Sequence, residues 1–300
     1  MPITGLHLLL TYKCNFECDH CFVYSSPHAK GVMRISDVRQ ILDEAEKLGN
    51  INWVFFEGGE PFLYYQTMLW GLREAKKRGF KIGIVTNSYW ATSVEDAREW
   101  LLPISKIDAD ALSISDDAYH YAETEENFAK YAHEAAIELG IPVDTITIDD
   151  PKEYMKDIEW KGKPVVEGSV QFKGRAVEKL TEGLPRKSWV EFNKCSDEDF
   201  TNQSRVHIDP FGYVHLCQGI TMGNMKKIPL HKLFEDYNPE KHPICAPLLK
   251  GGPAELVREY QVDHEEDYID ECHLCYSTRL KLRNKFPEIL TPDEVYGIQE

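Results

Sequence analysis

An α/β fold, a partial (β/α)6 TIM-type barrel, is what three observations in this 300-residue chain predict. Strand-like and helix-like patterns alternate over roughly the first 185 residues. No hairpin-type turn dipeptide joins the strands, so they run parallel with right-handed crossovers. Six strand–helix units are too few to close the usual eight-stranded barrel, so the barrel stays open.

The elements follow in order. LHLLL (6–10) predicts a short buried strand. RISDVRQILDEAEKLG (34–49) carries apolar residues at helical spacing, with Ser36 as N-cap candidate and Gly49 at its end. NWVFF (52–56) predicts the second strand and LYYQTMLWGLREAKKRGF (63–80) the second helix. KIGIVTN (81–87), ADALSIS (109–115), VDTITID (143–149) and SVQFKG (169–174) predict four more strands. Helices near 93–104, 124–139 and 151–158 separate most of them. GLPRKS (183–188) predicts a boundary between a core domain, 1–185, and a C-terminal domain, 186–300. Beyond it, RVHIDPFGYVHLCQG (205–219) predicts a hairpin turning at Asp209 to Gly212. PLHKLFEDY (229–237) and PAELVREY (253–260) predict short helices.

Charge narrows the partners. A net charge of −16 repels nucleic-acid backbones, and no Lys/Arg stripe offsets it. The same charge suits a cationic substrate. No apolar run approaches the roughly 20 residues of a membrane span, and no signal peptide precedes the first strand. The expectation is a cytoplasmic protein without nucleic-acid or membrane partners. In that reducing compartment its eight cysteines read as metal ligands or catalytic thiols before disulfides.

TYKCNFECDHCF (11–22) places Cys14, Cys18 and Cys21 just after the first strand, at the strand ends where parallel α/β folds bind ligands. Three thiolates can hold a 4Fe–4S cluster by three irons and leave the fourth open for a non-protein ligand. A zinc knuckle with a distant fourth ligand, or plain core cysteines, also fits the spacing. FFEGGEPFL (55–63) follows the second strand. Gly58 and Gly59 let backbone approach a ligand closely, Glu60 offers an acceptor for an ammonium group, and Pro61 stiffens the turn.

Cys-x3-Cys-x2-Cys followed by Gly-Gly-Glu-Pro resembles the radical S-adenosylmethionine (radical SAM) superfamily, with His20 in the aromatic position before the last cysteine. The resemblance implies that S-adenosylmethionine chelates the open iron. Reductive cleavage then yields a 5′-deoxyadenosyl radical that takes hydrogen from substrate. It further implies that Thr86, Asn87 and Ser88 in VTNSYW, and Ser113, Ser115 and Asp116 in SISDDAYH, hold ribose and carboxylate. Ordinary loop polarity is the other reading of each. Arg175 in FKGRA suits bidentate binding of the methionine carboxylate, or is a surface arginine. Asp116 and Asp117 are candidates to face substrate, and His120 reads as a satisfied loop histidine.

Cys195, Cys217, Cys272 and Cys275 resemble the ligands of the auxiliary-cluster extensions called SPASM or twitch domains, with enough thiols for one auxiliary 4Fe–4S cluster. A zinc ribbon on the same four is the alternative. The eighth cysteine, Cys245, is left free, with Cys195 and Cys245 interchangeable in that assignment. A free thiol can return a hydrogen atom to a carbon radical from the opposite face and invert a stereocentre.

The layout resembles radical SAM epimerases, both the peptide epimerases and the neomycin-type aminoglycoside epimerase. Gln218 stands where the peptide enzymes carry a second cysteine beside the hairpin cysteine, which favours a donor elsewhere. The expectation is an epimerase acting on an aminoglycoside-like or other small polyol or amine, with Cys245 as donor. An external one-electron reductant such as flavodoxin or ferredoxin would supply turnover. The rivals are a peptide-modifying radical enzyme, a radical dehydrogenase using the auxiliary cluster as acceptor, and a non-catalytic iron–sulfur or zinc protein.

Overall fold

In strand β1 (Gly5–Thr11), Leu6, Leu8 and Leu10 are fully buried on one face while His7 and Leu9 point to the other. That two-residue period sets the architecture, because helices cover the leucine face and a cavity occupies the opposite one. A computed structural model describes residues 3–121, 126–155 and 164–298. The alternation continues through α1 (Ile35–Leu48), β2 (Trp53–Gly58), α2 (Tyr65–Lys77), β3 (Lys81–Thr86), α3 (Val94–Ser105), β4 (Ala111–Ser115), α4 (Phe128–Glu138) and β5 (Val143–Ile146). Strands β1 to β5 pair in parallel in chain order. Val38, Ile41, Leu42 and Ala45 of α1 recur at helical spacing and are buried. Full burial of Val38, Ile41 or Leu42 is worth about 2 kcal/mol each.

Helix ends follow from local chemistry. Gly49 closes α1 in the left-handed region at φ 70°. The N-cap of α1 is Arg34 and not Ser36, because Asp37 reaches back to the Arg34 N–H at 2.8 Å. Ser93 caps α3 by accepting from Asp96 N–H.

Two expected elements are absent among the described residues. Residues Lys152–Met155 form strand β6, paired antiparallel with β7 (Pro164–Glu167), where a helix over 151–158 was expected. Positions 156–158 lie outside the described residues. The expected sixth strand at 169–174 is irregular backbone. Gly174 takes φ 63°, and Arg175 donates its N–H to the Cys21 carbonyl at 3.0 Å. This segment therefore bonds to the cysteine loop, not to β5. Among the described residues the sixth parallel strand is β9 (Arg205–Ile208), which pairs with β1 on the side away from β2.

The predicted hairpin forms. Strand β10 (Tyr213–Cys217) pairs antiparallel with β9, and β11 (Ile220–Asn224) extends the edge, so one eight-stranded sheet runs β11-β10-β9-β1-β2-β3-β4-β5. Asp209 fixes the turn by accepting from the Phe211 and Tyr213 N–H groups, and Gly212 takes φ 91°. The remaining elements are α5 (Ala176–Lys179), β8 (Lys187–Ser188) paired with β12 (Asp267–Tyr268), α6 (Leu230–Asp236), α7 (Cys245–Tyr260) and α8 (Glu271–Leu282). Helix α7 breaks at Gly251–Gly252 and resumes at Pro253, which is where the short predicted helix begins. A second apolar core joins Leu9 and Tyr12 to Leu216, Cys217, Cys245, Cys275 and Tyr276. No helix among the described residues is long and apolar enough to cross a membrane.

Candidate active site

The concave side of the sheet encloses a cavity of about 530 Å³. Cys14, Cys18 and Cys21 line it from the loop after β1, with Gly58 and Gly59 after β2, Thr86 and Asn87 after β3, and Ser113 and Ser115 on β4. The three thiols are mutual neighbours. Burial pushes Cys14 up to about 12 and raises Cys18 as well. Both are neutral thiols in the metal-free chain, so binding a metal releases their protons. The loop is prepared for that change. Cys14 Sγ accepts from Phe16 N–H at 3.3 Å and Asn87 Nδ2 at 3.4 Å, and Cys21 Sγ accepts from Ser25 N–H at 3.3 Å. Three thiols facing an open cavity, two of them with donors aimed at sulfur, fit an iron–sulfur cluster held by three cysteines.

The Gly-Gly-Glu-Pro turn works differently from the expectation. A Cβ on Gly59 would lie 2.2 Å from the Lys13 carbonyl oxygen, and one on Gly58 2.4 Å from that of Thr11. The glycines thus let the turn press against the cysteine loop, while still lining the cavity. Gly59 and Glu60 donate their N–H groups to the Thr11 and Lys13 carbonyls. Glu60 does not line the cavity. Its fully buried carboxylate accepts from Phe62 N–H at 2.9 Å, Asn87 N–H at 2.8 Å and Thr86 Oγ1 at 2.9 Å. Burial pushes it up to about 7 against those three bonds. Pro61 is buried and opens a short 3-10 turn that stacks Phe62 on Trp90 at 4.3 Å. Glu60 is a positioning residue that ties the turn to the end of β3. Glu60→Ala strands three buried donors, and chemical denaturation of the apo-protein is expected to show a loss of roughly 3 kcal/mol or more.

Other expected residues divide the same way. Asn87 touches Cys14, as above, and its Nδ2 also donates to Asn15 at 3.0 Å. Ser88 is fully buried at φ 61° and does not line the cavity. Asp116 turns away toward α4, where Asn127 Nδ2 donates to it at 2.8 Å. Its neighbour Asp117 is the one that lines the cavity, paired with His120 Nδ1 at 2.8 Å. Burial opposes ionisation there, but His120 holds the Asp117 carboxyl below its usual range. His120 is a turn residue satisfied by Asp117, and it lines the cavity too. Arg175 points into the cysteine loop, with Glu17 Oε1 3.8 Å from its Nη2. Its Nη1 donates to the Cys18 carbonyl and its Nη2 to the Ser25 carbonyl, both at 2.8 Å, and it is nearly fully buried.

The C-terminal cysteines converge on a second site. Cys217 neighbours Cys195, Cys272 and Cys275. Burial raises Cys195 and Cys272 and pushes Cys275 up to about 12. Two buried cations adjoin them: Lys173 beside Cys217 and Cys272, and Arg279 beside Cys275 and Cys217. Buried Arg279 Nε has no partner among the described residues. Four thiols, two cations and an orphaned donor fit an anionic metal–sulfur group. Cys245, expected to face substrate, is fully buried beside Cys195, Cys217 and Cys275 and does not line the cavity.

Sequence reasoning missed His7, Glu57 and His207, which form the cavity floor. The available signal was a polar residue beside apolar neighbours, His7 in LHLLL, Glu57 after VFF and His207 in VHI.

The radical SAM superfamily model matches residues 8–159. YydG of Bacillus subtilis (strain 168), assigned by its name to peptide biosynthesis, is 32% identical over 37% of this chain and 35% of its own length. The tungsten-containing aldehyde ferredoxin oxidoreductase cofactor-modifying protein of Pyrococcus furiosus is 34% identical over 39% of this chain and 32% of its own. The matched stretch therefore spans about a third of either relative. Among solved structures, BtrN in complex with AdoMet and 2-DOIA shares the fold with a TM-score of 0.53 at 14% identity, covering 78% of this chain and 82% of BtrN. A family model covering half of the sequence, over the part that folds into the parallel strands and carries the three-cysteine loop, establishes that the chain belongs to the radical SAM superfamily.

Proposed function

We propose that this protein is a radical SAM oxidoreductase that withdraws hydrogen from a small polar substrate held in the cavity. Membership of the superfamily implies S-adenosylmethionine and a 4Fe–4S cluster, which together supply a carbon-centred radical able to take hydrogen from an unactivated C–H bond. Cys14, Cys18 and Cys21 would hold that cluster, with Asn87 fixing Cys14. Ser113 and Ser115 offer hydroxyls from the cavity wall. Cys195, Cys217, Cys272 and Cys275 would hold a second cluster, which would supply a one-electron acceptor. Gln171 lines the cavity and donates to Asp197 at 2.5 Å, and Asp197 pairs with Lys173 at 2.7 Å beside Cys217 and Cys272. A short polar chain thus joins the two sites.

The placement of Cys245 carries the choice of outcome. Returning a hydrogen atom to the substrate, as an epimerase must, requires a thiol in contact with the substrate carbon. Passing on an electron requires no contact. Loss of a hydrogen atom, an electron and a proton converts an alcohol to a carbonyl. The test is turnover in D2O by reconstituted wild type and Cys245→Ala, with a panel of amino-cyclitols, amino sugars and short peptides. An oxidised product without solvent deuterium, formed by both proteins within about twofold of each other, is expected. An inverted product carrying deuterium, lost in Cys245→Ala while 5′-deoxyadenosine still forms, would make the enzyme an epimerase instead.

A further inference from the structure

We propose that His7, Glu57 and His207 form a substrate anchor on the cavity floor that selects an ammonium-bearing, hydroxylated small molecule. The inference rests on the cavity being the substrate site proposed above. The three residues come from adjacent strands β1, β2 and β9. Strand register sets His7 opposite His207 and Glu57 opposite Leu9, all on the concave face. Glu57 Oε2 bonds His7 Nδ1 at 3.1 Å, and Oε1 bonds His207 Nε2 at 3.1 Å. His7 stacks on Phe55 with centroids 4.7 Å apart, which fixes its ring.

Charge gives the array its selectivity. Burial alone would raise Glu57, but the flanking imidazoles hold it well below the usual carboxylate range. Burial holds His207 down. An ionised carboxylate only accepts, so His7 Nδ1 and His207 Nε2 carry the protons. That leaves His7 Nε2 and His207 Nδ1, which have no protein partner among the described residues. No lysine or arginine among the described residues pairs with Glu57. A largely desolvated carboxylate with no lysine or arginine beside it is costly, and a cationic occupant relieves that cost. The free His207 Nδ1 adds an acceptor for a hydroxyl or ammonium hydrogen.

The ligand atoms of these three side chains also lie within 4.8 Å of one another, close enough for a metal ion. The test separates the two. Holoenzyme with S-adenosylmethionine bound is titrated calorimetrically with streptamine, a diamino-cyclitol, and with its neutral counterpart scyllo-inositol. Wild type is expected to bind streptamine about tenfold more tightly, and Glu57→Gln to bring the two within about twofold. His207→Gln, which keeps the carboxylate, should retain the preference but weaken both ligands. Equal binding, binding of neither, or a preference that survives Glu57→Gln would overturn the proposal. So would zinc uptake that Glu57→Gln abolishes while the streptamine preference persists, since the array would then be a metal centre. Cleavage of S-adenosylmethionine by wild type is measured separately. Its absence would sink the radical reading while leaving the binding ratio to judge the anchor.

Discussion

Cys18→Ala protein, reconstituted anaerobically with iron and sulfide, is expected to form no 5′-deoxyadenosine above the protein-free background. Cys14, Cys18 and Cys21 are the cysteines lining the cavity among its described residues, so the set has no spare ligand. Removing one leaves a cubane with two protein bonds and no geometry that presents a single open iron. Serine does not rescue, because its hydroxyl stays protonated where a thiol ionises on metal binding. The iron content should fall by one cluster, while iron at the C-terminal cysteines is retained. Product chromatography and an iron assay on the same sample check both halves. Persisting cleavage of S-adenosylmethionine would remove Cys18 from the ligand set and, with it, the reading of the whole loop.

The cysteine loop was legible because its spacing is short-range chemistry. Strands β1 to β5 were legible because a two-residue period such as Leu6, Leu8, Leu10 against His7 and Leu9 is local too. Partnership over long separations was not. SVQFKG alternates like a strand, yet Gly174 and Arg175 commit it to the cysteine loop some 150 residues earlier, as the Arg175–Ser25 bond shows. RVHI was recognised as a strand, but nothing in it announces that β1 is its neighbour. The same limit explains Glu60, Asp116 and Arg175. Residue type at a strand end says that a polar group is present. It does not say that Asn87, Asn127 or a pair of loop carbonyls already consumes it. His7, Glu57 and His207 failed for a related reason: each is an isolated polar residue in an apolar run, and only the sheet register brings them together.

Arg175→Lys is expected to lose the iron of the Cys14, Cys18 and Cys21 site on desalting while the apo-protein stays folded. The guanidinium spans two carbonyls, those of Cys18 and Ser25, and its own N–H reaches the Cys21 carbonyl. Its face also lies over Tyr24, 5.5 Å from the ring centroid. A fork of this kind holds the loop closed around the three thiols. An ammonium keeps the charge but cannot reach both oxygens, so one buried carbonyl is left unpaired at a cost of about 1–3 kcal/mol. Arg175→Met, which satisfies neither, should cost roughly twice as much and retain less iron still. Gly174→Ala acts on the same contact from the backbone, because its Cβ would meet the Cys21 carbonyl oxygen at 2.6 Å. Iron-to-protein ratio after gel filtration, set against the affinity for S-adenosylmethionine, separates this from the carboxylate-binding role that the sequence suggested. A staple predicts that iron falls first and that cofactor binding is lost only as a consequence. An Arg175→Lys protein that kept its full iron but bound S-adenosylmethionine weakly would place the guanidinium on the cofactor after all, and would require the loop bonds to break when it binds.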